Sequence, residues 1–236
     1  MSVPGREPSA RARARRGRPR RRARDDQPAR RPGRPAGASG DRTRERVVRA
    51  AVEIFARDGL AGASVRDIAR QARIRVSTLY HYFPAKEALY REVQDRVHAE
   101  IREQMLSVLG SGLDIRETAR EAVGRAFEFF LANRAYAKLG YRTALEVGPA
   151  IEAGHRIADR WVGFVEGALR PAEVRGLVKE IDPVFLMATV DALLHWHIVN
   201  EAFYRRLLGR GLEDAEVARR AREHVVSVAL RTLGLE

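Results

Sequence analysis

The sequence predicts an all-α chain, with a basic three-helix unit near the N-terminus followed by a larger helical half. Three observations predict it. Apolar residues recur at helical spacing from about residue 43 onward, no run of alternating β-branched residues is bounded by turns, and the positive charge is gathered at one end. The 236 residues carry a formal charge of +13, of which residues 1–40 hold +10, residues 41–93 hold +4 and residues 94–236 hold −1. Such an asymmetry points to a polyanionic partner at one end only. Because 41 of the 44 basic residues are Arg, a skew that a GC-rich genome also produces, the position of the charge says more than its identity.

Several function classes drop out. The chain has no Cys, which excludes disulfides, thiolate metal sites and a cysteine nucleophile. No stretch approaches 18 uninterrupted apolar residues, and no apolar segment follows the Arg-rich start, so neither a membrane span nor a secretory signal is expected. A cytoplasmic protein is the expectation. A Gly-rich phosphate loop, HExxH and GxSxG are all missing, so no enzyme is predicted.

Residues 1–40 are Arg, Pro, Gly, Ala and Ser with almost no large apolar side chain, a composition expected to be disordered in isolation. Within them Arg16-Gly17-Arg18-Pro19-Arg20, echoed at Gly33-Arg34-Pro35, resembles the AT-hook, an extended segment that lies in the minor groove of A·T-rich DNA. A narrow minor groove concentrates negative potential and attracts inserted Arg, and Gly lets the backbone approach. A solvated tail that binds phosphates without reading sequence fits the same composition. Both readings make DNA affinity salt-sensitive.

The first helix is predicted over 43–57, where Val47, Ala51, Ile54 and Phe55 form one stripe, and Gly59 supplies a left-handed end. Ser64 is the expected N-cap of a second helix, with Asp67 three residues on and Val65, Ile68, Ala69 and Ala72 on one face. A break near Arg73-Ile74 precedes a short third helix ending near Phe83, and Pro84 precedes a fourth that carries Lys86 and Glu87 in its first turn. Two short helices joined by a tight turn within a basic three-helix unit make a helix-turn-helix. On the third helix Leu79 and Phe83 share an inward arc, while Ser77, Thr78 and His81 lie opposite, flanked by Tyr80 and Tyr82. Hydroxyls and an imidazole grouped beside two Tyr suit a helix lying in the major groove of double-stranded DNA.

The ordered run Ser64-Val65-Arg66-Asp67-Ile68-Ala69, then Thr78-Leu79-Tyr80-His81-Tyr82-Phe83, then Lys86-Glu87-Ala88-Leu89, resembles the TetR/AcrR family of bacterial transcriptional regulators. Ala51-Val52-Glu53-Ile54-Phe55-Ala56-Arg57-Asp58-Gly59 fits that family's first helix, and the match spans about 43–93. The resemblance implies that the third helix is the recognition helix, with Ser77, Thr78 and His81 nearest base edges and Arg66 placed for a guanine. It implies phosphate contacts from Tyr80, Tyr82 and Lys86, and a cap from Ser64 near the DNA backbone. Tyr80 packing on the first helix and a solvated His81 are the plain structural alternatives. Two departures stand out: Arg73 occupies the turn position usually held by Gly, and Arg75 stands where Ser usually caps the third helix. An Arg in a left-handed turn costs about 1 kcal/mol, and loss of the cap about 1 kcal/mol more. Both substitutions add positive charge beside the recognition helix, so phosphate contacts from Arg73 and Arg75 could offset the cost.

Residues 94–236 extend the fourth helix through Val93, Val97, Ile101 and Leu109 to Gly110-Ser111-Gly112. Further helices are predicted over 116–133, 135–147, 151–169 (ahead of Pro171), 182 to about 208 (opened by Asp182-Pro183) and 213–233. The resemblance implies that this half binds a small-molecule effector and pairs with a second copy through its last two long helices. Val217, Ala221, Val225, Val228 and Leu230 give the last helix a suitable apolar face. A homodimer would place two recognition helices about 34–36 Å apart on an inverted-repeat operator. Candidate effector-lining residues are Tyr136, Tyr141, Arg142, Glu146, His155, Trp161, His195, Trp196, His197, Asn200 and Phe203, although core packing or the dimer interface explains each as well. His195 and His197 sit about 200° apart on a helix, and Asp191 with His195 supplies only two ligands, so no metal or cofactor is expected. The function predicted is a sequence-specific DNA-binding regulator, which the resemblance implies is a repressor released from its operator by ligand. The alternative is an architectural protein that binds DNA through the helix-turn-helix and the arm without an effector.

Overall fold

The computed structural model describes residues 36–144 and 149–235, and those residues form ten helices and no strand. Helices α1 (Ala36–Gly62), α2 (Val65–Gln71) and α3 (Val76–Tyr82) make the head, α4 (Lys86–Leu109) leaves it, and α5 (Ile115–Ala132), α6 (Arg134–Thr143) and α7 (Pro149–Val174) follow. The chain closes with α8 (Pro183–Val199), α9 (Glu201–Leu208) and α10 (Ala215–Leu233). Arg16, Gly17, Arg18 and Pro19 of the basic arm, and Glu146, lie outside the described residues.

The apolar stripe read for the first helix is its core face. Val47, Ala51, Ile54 and Phe55 are buried together with Ile68, Ala69 and Ala72 from α2, Leu79 from α3, and Leu89, Tyr90 and Val93 from α4. Gly59 adopts φ 72°, ψ 178°, a conformation open to glycine, and kinks α1 one turn before its end. Ser64 caps α2, its hydroxyl accepting from the Asp67 amide at 3.4 Å. A second cluster is formed by Ile101 and Met105 of α4 with Phe127, Phe130, Leu194, Ile198, Val217 and Val225. Helix α4 therefore belongs to both clusters. Leu139 of α6 packs in the head cluster, and Tyr136 touches both. A buried polar bridge reinforces that junction: the Thr143 hydroxyl lies 2.9 Å from the Tyr90 hydroxyl and accepts from Gln94 Nε2 at 3.1 Å.

The structure corrects three expectations for the second half. Helix α7 continues through Pro171 to Val174, and the turn after it passes through Gly176 (φ 66°), with the Leu177 amide bonding the Ala172 carbonyl at 2.9 Å. Leu169, Ala172 and Val178 are buried on either side of Pro171, and that packing offsets the roughly 3 kcal/mol that an internal proline costs a helix. The long helix expected to reach residue 208 is instead two, broken at Asn200 (φ −93°, ψ 39°), whose side-chain amide bonds the Trp196 carbonyl. The apolar face of the last helix is used inside the protomer. Val217, Ala221, Val225 and Leu230 are buried in the two body clusters, and Val228 is half-buried and belongs to neither, so most of that face packs within the protomer. Large apolar side chains are exposed instead on α8 and α9, namely Val184, Phe185, Trp196, Phe203, Leu207 and Leu208.

Candidate nucleic-acid interface

The turn between α2 and α3 is held by backbone geometry. Arg73 takes φ 56°, its amide bonds the Arg70 carbonyl at 3.1 Å, and the Ile74 amide bonds the Ala69 carbonyl at 3.0 Å. This is the Schellman arrangement, which normally places glycine where Arg73 stands. Helix α3 then starts at Arg75, which provides no side-chain cap. Both costs expected from the two arginines are present in the backbone.

Leu79 and Phe83 are buried at 0% and 3% exposure, which fixes the rotation of α3. Ser77, Tyr80 and His81 are in turn exposed, and Thr78 and Tyr82 are half-buried. The His81 and Tyr82 rings meet edge-on at 5.5 Å. Arg66, Arg73 and Arg75 are exposed on the same head and make no ion pair among the described residues, whereas Arg70 is paired with Asp67 at 2.7 Å. An outward strip of hydroxyl, imidazole and phenol groups beside three unpaired guanidinium groups can meet base edges and phosphates together. The Lys86 ammonium occupies a different place from the other candidates: it donates to the Ala63 carbonyl at 3.1 Å and the Ala61 carbonyl at 3.3 Å, closing the end of α1. One of its three N–H groups is left for any further partner.

The effector candidates scatter. Trp161 meets His98, a residue on α4 that the sequence did not single out, and Asp191 and His195 lie within electrostatic reach of the same ring. Trp161 Nε1 donates to His98 Nδ1 at 2.8 Å, and burial pushes the His98 pKa down to about 4, so the ring is a neutral acceptor. Burial also pushes His195 down, but the hydrogen bond and charge of Asp191, 3.1 Å from Nδ1, outweigh it and raise the pKa. The His195 ring packs against Phe130 at 4.9 Å and against the backbone of α6 at Gly140. His197 is buried with Nδ1 against the Tyr204 hydroxyl, and burial followed by the His224 charge lowers its pKa to about 4. Trp196 and Phe203 stack edge-on at 5.1 Å on the exposed apolar face, with Asn200 at the break between them. Tyr141 and His155 are exposed and Arg142 is half-buried. Tyr136 lines a groove of about 1110 Å³ between α1, α4 and α6, together with Arg49, Arg96, Glu100 and Lys138. The Asp191–His195 spacing was visible in the sequence, while nothing in the local pattern of α4 marked His98. Among the described residues no three His, Cys, Asp or Glu side chains are grouped to hold a metal, and no helix is long and apolar enough to cross a membrane.

Comparison with known proteins places this geometry. The family model for bacterial regulatory proteins of the tetR family matches residues 47–93, the segment containing α2, α3 and the turn between them. The chain is 21% identical over 199 residues to the transcriptional repressor NicS of Pseudomonas putida, covering 82% of this chain and 93% of that one. It is 28% identical over 173 residues to the transcriptional regulator EthR of Mycobacterium tuberculosis, covering 72% and 80%. The crystal structure of the transcriptional regulator SCO4942 from Streptomyces coelicolor superposes with a TM-score of 0.62 at 28% identity, covering 82% of this chain and 99% of that one. The helix-turn-helix head, residues 47–93, is thus that of the tetR family of bacterial regulatory proteins, and the all-helical body is similar in fold to transcriptional regulators along most of the chain.

Proposed function

We propose that the protein is a repressor that binds an inverted-repeat operator as a homodimer and is released by a small-molecule effector. One observation carries the reading: buried Leu79 and Phe83 turn Ser77, Tyr80 and His81 of α3 outward and leave Thr78 and Tyr82 half-buried beside them. Thr78 and His81 read base edges, Arg66 reaches a guanine, and Arg73, Arg75, Tyr80 and Tyr82 hold phosphates. Ser64 caps α2 close to the DNA backbone, and Lys86 adds a weaker phosphate contact because two of its donors are used internally. The basic arm, Arg16 to Pro19 included, adds salt-sensitive contacts beside the operator. The division into an arm (1–40, whose residues 36–40 already lie in α1), a DNA-binding head (41–93) and a regulatory body (94–236) belongs to the same proposal, as does a cytoplasmic location on DNA.

The dimer forms through the exposed apolar side chains of α8 and α9, Phe185, Trp196, Phe203 and Leu207 among them, because burying them removes a patch costly to leave in water. The effector acts on the body near Trp161, His98 and His195. It favours an arrangement of α4 that no longer lets both heads meet successive major grooves, and its effect equals its differential affinity for the two arrangements. Selection from a random duplex library by the full-length protein, followed by footprinting, tests the reading. The expected result is an enriched palindrome protected as two half-sites. Enrichment of no sequence, with affinity set by salt alone, would replace it with the architectural alternative.

A further inference from the structure

The turn of the helix-turn-helix contains carbonyls that its own backbone leaves unused. In the Schellman arrangement described above, the Arg73 and Ile74 amides satisfy Arg70 and Ala69, but the Ala72 and Arg73 carbonyls point past the end of α2. Both are taken by one side chain from another helix. Arg46, on α1 and 26 residues away, donates from Nη2 to the Ala72 carbonyl at 2.6 Å and from Nε to the same oxygen at 3.1 Å. Its Nη2 also donates to the Arg73 carbonyl at 3.1 Å. The guanidinium thus straddles the left-handed residue, and its charge faces the negative end of the α2 dipole. A planar fork can reach both oxygens together, whereas an ammonium offers only a point charge.

We infer that Arg46 is a positioning residue for DNA reading: without touching a base, it clamps the strained turn to α1 and so fixes how α3 is presented. This rests on the DNA-binding reading above. The strain at Arg73 and the missing cap at Arg75 leave the turn with less intrinsic support than a Gly-Ser pair would give, and Arg46 supplies the restraint from outside. Sequence-independent binding needs only the charge of the head. Sequence-specific binding needs α3 held at one angle, so only the specific mode depends on the fork.

The test compares wild type with Arg46→Lys and Arg46→Gln, both full-length, held below the melting temperature of the weaker variant and checked for helix content by circular dichroism. Affinity is measured for the duplex selected by the wild type and for a scrambled duplex across a salt series, and amide exchange at Arg73 and Ile74 is followed without DNA. Arg46→Lys is expected to lose about fivefold in affinity for the selected duplex, with its scrambled-duplex affinity and salt slope unchanged, and to exchange faster at both amides. Arg46→Gln should lose at least as much on the selected duplex and show the same faster exchange. Equal losses on both duplexes, with a salt slope in Arg46→Gln shallower by about one, would make Arg46 a phosphate contact instead. Exchange at wild-type rates in Arg46→Lys would overturn the inference outright. Because the exchange measurement needs no DNA, failure of the operator reading and failure of the clamp give different results.

Discussion

Arg73→Gly separates what the turn costs from what it gains. At φ 56° the Arg73 backbone carries roughly 1 to 2 kcal/mol of strain that glycine would not. Glycine also loosens the unfolded chain, which returns about 0.4 to 1 kcal/mol of that gain. The free protein should therefore be more stable by about 0.5 to 1 kcal/mol, a melting temperature higher by about 1 to 4 °C for a chain of this size. The same substitution removes an exposed guanidinium that makes no ion pair among the described residues beside α3. If that charge meets a phosphate, the slope of log affinity against log salt should fall in magnitude by about 0.9, with the largest loss of affinity at low salt. Differential scanning calorimetry of the free protein and fluorescence anisotropy on the selected duplex at four salt concentrations measure the two halves separately. A lower melting temperature would refute the strain argument, and unchanged affinity at every salt concentration would refute the phosphate argument.

Leu79→Ala removes a side chain with no exposure at the centre of the head and should destabilise the protein by roughly 2 to 5 kcal/mol, measured by urea unfolding. Thr78→Ala with His81→Ala should leave the melting temperature nearly unchanged yet cost roughly 1 to 3 kcal/mol of discrimination between the selected and scrambled duplexes, read by competition binding. Gly140→Ala should lower the melting temperature, because its Cβ would come within 2.5 Å of His195 Nε2; in a His195→Ala background the same change should raise it. His98 has a folded pKa of about 4, below its ordinary 6.5, so the unfolded chain binds the extra proton and stability is lost as pH falls from 6.5 toward 4. In that window the slope it contributes approaches about 1.4 kcal/mol per pH unit. Denaturant unfolding at pH 7, 6 and 5 should show this slope reduced in His98→Gln, whose amide oxygen can still accept from Trp161.

The head was legible in the sequence because its determinants are local. Ser64 and Asp67 announce the start of α2, the stripe from Val47 to Phe55 announces the core face of α1, and Leu79 with Phe83 fixes the rotation of α3. Arg73 was recognisable as a residue out of place, and its φ bears that out. The clamp from Arg46 was not legible, since an Arg on an exposed helical face looks like any solvated charge until the turn folds back beside it. In the body, two asparagines make the same interruption. Asn133 and Asn200 each bond a carbonyl four residues back, at 2.8 and 3.1 Å, and each ends a helix. The first coincides with a predicted boundary, whereas the second sits in an apolar run whose hydrophobicity masked it. Pro171 misled in the opposite direction, because a strong local stop gives way when both of its flanks are buried. The effector candidates were chosen as polar or aromatic groups within apolar helices, and that criterion cannot tell a buried His195 from an exposed Phe203.

Sharing α4 between the two apolar clusters, with Leu139 and Tyr136 of α6 packed against the head, leaves no clean seam at residue 93. A fragment cut there would lose Leu139 from its core and all of Thr143, the hydroxyl on which Tyr90 and Gln94 converge. Heating should therefore melt both halves in a single endotherm, and limited proteolysis should fail to release a folded head. Whatever loosens the body thus withdraws support from the reading head as well, since the two halves stand or fall as one cooperative unit.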